Sequence, residues 1–233
     1  EQYPLFGRTC YSLKDSILAP QKTGIIAEYK RASPSKGLIN GTSSVQDVVL
    51  GYQNAGASAI SVLTDPDFFQ GSLADLTAAR EVLTIPLLRK EFIVDTYQIA
   101  EAKAYGADII LLIAACLSSD EIQAFSTYAK SLGLNVLLEV HNEEELNRNI
   151  FDSIDAIGVN NRNLKDFSVS LAHSYSLVNQ IPDSFIKVSE SGISDPATIR
   201  DLKDRGFQGF LIGENFMKTG DPAMAIEEFV ANL

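Results

Sequence analysis

Eight short apolar runs, spaced almost evenly along the chain, constrain the fold more than any other feature. They are Ile25–Tyr29, Ala59–Leu63, Leu87–Lys90, Ile109–Ile113, Val136–Val140, Ala156–Val159, Ile186–Ser189 and Gly209–Ile212. Each has four or five residues, the length of a buried strand and too short for a core helix. Segments with helical periodicity separate them, among them Val45–Ala57, Leu73–Leu83, Thr96–Tyr105, Asp120–Leu132 and Pro196–Arg205. Helix starts are marked by Ser118-Ser119-Asp120-Glu121 and by Ser194-Asp195-Pro196, where small polar residues can cap and proline suits the first turn. Gly56, Gly106, Gly133 and Gly206 follow helices and fit left-handed caps.

Strand alternating with helix predicts a parallel sheet. Eight such units in 233 residues, 45% of them hydrophobic, favour closure into a (β/α)8 TIM barrel over an open sheet. The expected organisation is one domain over 1–233, with 1–24 as a short N-terminal extension and 25–233 as the barrel. A helix near Ser12–Leu18 is expected to plug the bottom. No Gly-x-Gly-x-x-Gly follows a strand, which removes the usual dinucleotide fingerprint.

Charge narrows the function classes. Lys+Arg total 19 against 30 Asp+Glu, for a net charge of −11. Such a surface repels nucleic acid and anionic membranes, so neither is expected as a partner. An anionic small molecule can bind only where the few cations are gathered. Cys10 and Cys116 have no metal-like spacing and read as ordinary reduced thiols. His141 and His173 lack paired ligand spacing, so no metal site is expected, and both read as surface or supporting residues. No secretory signal opens the sequence and no apolar run could cross a bilayer, which points to the cytoplasm.

Catalysis in such barrels sits at the C-terminal ends of the strands. There the sequence places Glu28 and Lys30, then Lys90, Glu139, Asn160 with Arg162, Glu190-Ser191-Gly192 and Gly213-Glu214. Glu28 and Lys30 are two apart, so on a strand they point the same way. Any one of these charges could be a structural ion pair, but acids and bases gathered on one rim suit proton transfer. A lysine crowded by cations or apolar walls would be a usable acid near neutral pH. Ser191-Gly192 and Gly213-Glu214 could bring backbone close to a phosphate, although tight turns also want glycine. Phe68-Phe69 and Phe92, on adjacent rim loops, would suit a flat aromatic ligand.

With these pieces in view, the chain resembles the indole-3-glycerol phosphate synthase family. The resemblance rests on Ala27–Gly37, Leu63-Thr64-Asp65 with Phe68–Ser72, Leu88–Ile93, Gly106-Ala107-Asp108, Leu138–His141, Gly158–Leu164, Ser189–Ile193 and Leu211–Glu214, in family order. It implies a carbon–carbon lyase of tryptophan biosynthesis. Such an enzyme closes the indole ring of a carboxyphenylamino-deoxyribulose phosphate with loss of carbon dioxide and water, and needs no cofactor or metal. Carried over, Lys90 would be the general acid, Glu139 and Glu28 would handle proton transfers, and Asn160 would orient substrate and Lys90. Lys30 and Arg162 would bind anions. Ser191, Gly192, Gly213 and Glu214 would supply phosphate-binding backbone, beside Leu211, with Glu190 supporting the rim. Ser33, Pro34, Phe92, Leu111 and Ile113 would line the aromatic pocket, with Phe69 near it. The implied partner is a small phosphorylated aromatic substrate, with other tryptophan-pathway enzymes as candidate protein partners. Glu91 and Asn163 stand where the family usually has Asp, and the segment before Ile25 is shorter than usual for the family.

Two other readings compete. A phosphoribosylanthranilate isomerase-like barrel would expect a cysteine at the end of the first strand, where Glu28 and Lys30 stand. A non-catalytic phosphate-binding barrel would have little use for Lys90, Glu139 and Glu28.

Overall fold

The computed structural model of the protein describes residues 3–163 and 166–233. Leu164, the last residue of one stretch in the family resemblance, lies outside the described residues, as do Glu1 and Gln2 of the N-terminal extension.

Eight parallel strands close into a barrel: β1 Ile25–Tyr29, β2 Ala59–Leu63, β3 Leu87–Lys90, β4 Ile109–Ile113, β5 Asn135–Val140, β6 Ala156–Asn160, β7 Ile186–Glu190 and β8 Gly209–Ile212. Each strand pairs with its sequence neighbours. The ring closes where Ile26 stands opposite Ala59 on one side and Leu211 on the other. The helices are α1 Leu13–Leu18, α2 Val45–Asn54, α3 Pro66–Phe69, α4 Leu73–Val82, α5 Thr96–Ala104, α6 Ser119–Ser131, α7 Glu143–Asn147, α8 Ala172–Leu177, α9 Pro196–Asp204, α10 Glu214–Met217 and α11 Pro222–Val230. The expected strands are all present, with β5 to β7 extended by one residue. The expected helix starts also hold. Ser118 closes a capping box with Glu121, and Asp195 caps α9 with proline in its first turn. The four expected glycine caps all have positive φ, from 77° at Gly133 to 107° at Gly206.

The period of two along each strand sorts side chains into two cores. Outward residues such as Ala27, Tyr29, Ile60, Val62, Leu112, Leu138 and Val159 meet the helices. Inward residues Ile26, Ala59, Leu88, Ile109, Leu137, Ala156, Ile186 and Val188 fill the barrel, together with Leu13 and Ile17 of α1. Helix α1 therefore plugs the barrel as expected, at its N-terminal end. The Leu13 amide donates to Asn135 Oδ1 at the start of β5, and Ser16 Oγ donates to the Ser58 carbonyl before β2.

A buried carboxylate ties the preceding segment down. Asp108 accepts from Arg8 (2.7 Å), the Tyr11 amide (2.8 Å), Arg80 (2.8 Å) and the Leu87 amide (2.9 Å). With four donors its charge is compensated away from water. This accounts for the Gly106-Ala107-Asp108 stretch as scaffold at the bottom of the barrel, remote from the rim.

Candidate active site

The same period of two that fills the barrel also builds the site. Two residues beyond the apolar inward layer, the next inward positions are Glu28, Lys90, Glu139, Asn160 and Glu190, which converge on the C-terminal mouth. Glu28, Glu139 and Glu190 are all buried. Lys90 Nζ lies 2.7 Å from Glu190 Oε2 and 3.5 Å from Glu139 Oε2. Asn160 Nδ2 donates to Glu139 Oε1 at 2.9 Å, while Asn160 Oδ1 accepts from the Arg162 amide. Glu28 is held by Ser61 Oγ (3.2 Å) and by Lys30 Nζ (3.2 Å).

Burial pulls the Lys90 ammonium toward neutrality, but Glu190, Glu139 and Glu28 outweigh it and raise its pKa above the ordinary lysine value. The expectation of a lysine made acidic by cations or apolar walls is thus corrected: carboxylates surround it and keep it charged. Burial and the neighbouring Glu139 push Glu190 up to about 7, against the lowering pull of Lys90. Near neutral pH Glu190 is therefore only partly ionised. Glu190, read from the sequence as supporting the rim, is 1% exposed, lines the cleft and contacts Lys90.

Glycines make room for these acids. A Cβ on Gly213 would lie 2.7 Å from Glu28 Oε1, and one on Gly158 would overlap Glu190 Oε1. Gly158 was not singled out in the sequence as a site residue. Its signal there is a glycine at an inward position of an otherwise apolar strand.

The mouth opens into one cleft with two compartments. The first, about 250 Å³, is mostly apolar and is lined by Ser33, Pro34, Leu63, Phe69, Phe92, Leu111 and Ile113, with Lys90 and Glu139 at its base. Phe69 and Phe92 lie 6.3 Å apart; Phe68 lies edge-on to Phe92 at 6.4 Å and is outside the lining, which corrects its expected place in the wall. The second compartment is polar, with Lys30, Lys36, Arg162, Lys218, Ser191-Gly192 and Gly213-Glu214 around it. Leu211 borders both. Ser191 and Gly192 are successive residues with φ near +71° and +79°, a conformation costly for serine. Buried Asn161 holds that turn, donating to Ser189 Oγ and the Ser191 carbonyl. Lys36, Lys218, Phe167 and Cys116, which line the cleft from loops, and Asn161, which acts by holding the Ser191 turn, have no signal of their own in the sequence.

The first rim loop is more ordered than a Ser/Pro/Gly turn suggests. Ala32–Ser33 pairs antiparallel with Gly37–Leu38. Arg31 at its base grips the Asp75 carboxylate through both terminal nitrogens and donates to the Gln70 carbonyl.

Comparison with known proteins places this geometry in a family. The family model for indole-3-glycerol phosphate synthase matches residues 5–229. An indole-3-glycerol phosphate synthase of Bacteroides thetaiotaomicron is 49% identical over 213 residues, covering 91% of this chain and 82% of its own. One from Campylobacter jejuni is 44% identical, covering 97% of this chain and 90% of its own. Among solved structures, a mutant tryptophan synthase alpha-subunit from Pyrococcus furiosus superposes with a TM-score of 0.70 at 16% identity, covering 91% of this chain and 98% of that one. A 3-hexulose-6-phosphate synthase from Salmonella typhimurium does so at 0.68 and 13%, covering 89% and 98%. These two likenesses speak for the fold alone. The family match over nearly the whole chain and the close relatives go further: the chain belongs to the indole-3-glycerol phosphate synthase family.

Proposed function

We propose that the protein is an indole-3-glycerol phosphate synthase, a carboxy-lyase. It converts 1-(2-carboxyphenylamino)-1-deoxyribulose 5-phosphate to indole-3-glycerol phosphate. The observation that carries the reading is Lys90, a charged acid at the base of an apolar compartment that adjoins a cation-lined one. The aromatic ring lies between Phe69, Phe92, Leu111 and Ile113, and the phosphate faces Ser191-Gly192 and Gly213. Lys30 and Arg162 meet the substrate's anionic groups.

The ring carbon that bears the carboxylate adds to the ribulose carbonyl while Lys90 protonates the carbonyl oxygen. Carbon dioxide leaves and the ring regains aromaticity. The new hydroxyl then departs as water. Glu139 and Glu28 carry the protons of dehydration: one, ionised, takes the proton lost from the carbon beside the hydroxyl, while the other, protonated, gives the hydroxyl the proton with which it leaves as water. Glu190 keeps the Lys90 ammonium aimed, and Asn160 fixes Glu139. Both cysteines are free, which suits a reducing cytoplasm. Among the described residues no helix is long and apolar enough to cross a membrane.

The test is direct. The chain has no tryptophan, so indole fluorescence can be followed on mixing protein with the substrate. A signal growing with time and enzyme is expected. Binding of the phosphate ligand by folded protein without turnover would replace this reading with a binding-only barrel.

A further inference from the structure

Beyond the groups that face the cleft, one ionisable side chain touches a reacting carboxylate from behind. His141 lies two residues past Glu139 and turns its ring inward, with its side chain 11% exposed. Its Nε2 is 3.6 Å from Glu139 Oε1, and its Nδ1 is 3.4 Å from Glu145 Oε2 at the first turns of α7. Both ring nitrogens are buried with no hydrogen bond, so the two carboxylates are their polar neighbours at ion-pair range. Glu145 is fixed independently. Its Oε2 accepts the His141 amide (2.8 Å) and its Oε1 accepts Asn142 Nδ2 (2.9 Å).

We propose that His141, held by Glu145, is a positioning residue for the reaction: as an imidazolium it orients Glu139. This rests on the reading of Glu139 as a proton-transfer group. The row Glu145–His141–Glu139 continues to Lys90 and Asn160, so the proton state of one imidazole reaches the base of the apolar compartment.

Other charges around the ring agree. Burial lowers the His141 pKa, but Glu145 from α7, Glu139 from β5 and Glu190 from β7 outweigh it and hold it above the ordinary histidine value. On the β4 side the Cys116 thiol is pushed up by burial and by the same Glu139 and Glu145, so it remains neutral near pH 7. Arg148 directs its guanidinium to the Ala114 carbonyl.

Two histidines in the chain make the test tractable. The imidazole NMR signals of wild type, His141→Gln, Glu145→Gln and Glu139→Gln assign and titrate His141 without any turnover. His141 should titrate above the ordinary histidine value in wild type. It should fall by about one unit in Glu145→Gln and in Glu139→Gln, the usual scale for loss of one adjacent charge. A wild-type His141 titrating at or below the ordinary value, or one indifferent to Glu139→Gln, would overturn the proposal. In steady-state kinetics, His141→Gln should lower kcat with little change in KM and remove the part of the kcat profile that follows the His141 titration. A superimposable profile would also overturn it. If wild type shows no turnover, the reaction reading fails while the titrations still decide the coupling.

Discussion

At the scale of single residues, the carboxylates around Lys90, the proposed general acid, are placed unequally. Glu190 is near enough to aim the ammonium, and Glu139 lies slightly farther off at 3.5 Å. Lys90→Ala should lower kcat by ~10²-fold or more, as for loss of a general acid, while the phosphate ligand still binds. Turnover by indole fluorescence and ligand titration check the two halves. Gly158→Ala puts a Cβ onto Glu190 Oε1, and the carboxylate must swing away from Lys90. The expected outcome is a fall in kcat of about 10²-fold, the cost of a small misplacement at a reacting centre, in a protein whose circular dichroism is unchanged. The charged strand ends were legible in the sequence because ionisable residues are poorly explained by barrel packing. The roles proposed for them come only through the family resemblance. Glu190 was read as a rim support because sequence shows that a residue ends a strand without showing how far inside the ring it sits.

At the scale of elements, the strands were legible nearly to the residue, because a buried parallel strand is an apolar run bounded by turns. Short helices were not. Pro66–Phe69, Glu143–Asn147, Ala172–Leu177 and Glu214–Met217 span four to six residues each, too few to show a 3.6-residue period. The hairpin of the first rim loop escaped notice for a similar reason, with two residues per strand. Helix α1 did show, and its packing gives a test. Leu13 is fully buried in the inner core, so Leu13→Ala should cost about 2–5 kcal/mol of stability through the cavity it leaves. Urea denaturation should reveal the loss. The KM of the folded variant should stay at the wild-type value, since the cavity is at the end of the barrel opposite the site.

At the scale of the whole molecule, charge couples folding to pH through Glu190. Its folded pKa is raised to about 7 from 4.5, so the folded protein retains a proton that the unfolded chain has released. Its contribution to stability is therefore complete below pH 4.5 and is lost as pH rises through about 7. Lys90, raised from 10.5, contributes no slope in that window. Replacement by Glu190→Gln, which cannot ionise, should remove this component. Urea midpoints of the two proteins should diverge between pH 5 and pH 7.5, with the variant gaining relative to wild type. A net charge of −11 sets a second expectation. Lys30, Lys36, Arg162 and Lys218 gather around the polar compartment of an otherwise acidic molecule, so KM for an anionic substrate should rise with added salt. Steady-state kinetics across a salt series would check it.

Barrel closure also has a consequence for the order of events on the ribosome. Strand β1 is made early, yet one of its two edges pairs with Phe210, Leu211 and Ile212. The residues of the plug wait as well: Tyr11 needs Asp108 and Leu13 needs Asn135. During synthesis the plug waits for the middle of the chain, while β1 keeps one edge unpaired until almost all of the ring has emerged. The last strand to leave the exit tunnel then covers both edges at once, and the site above it is assembled in the same step.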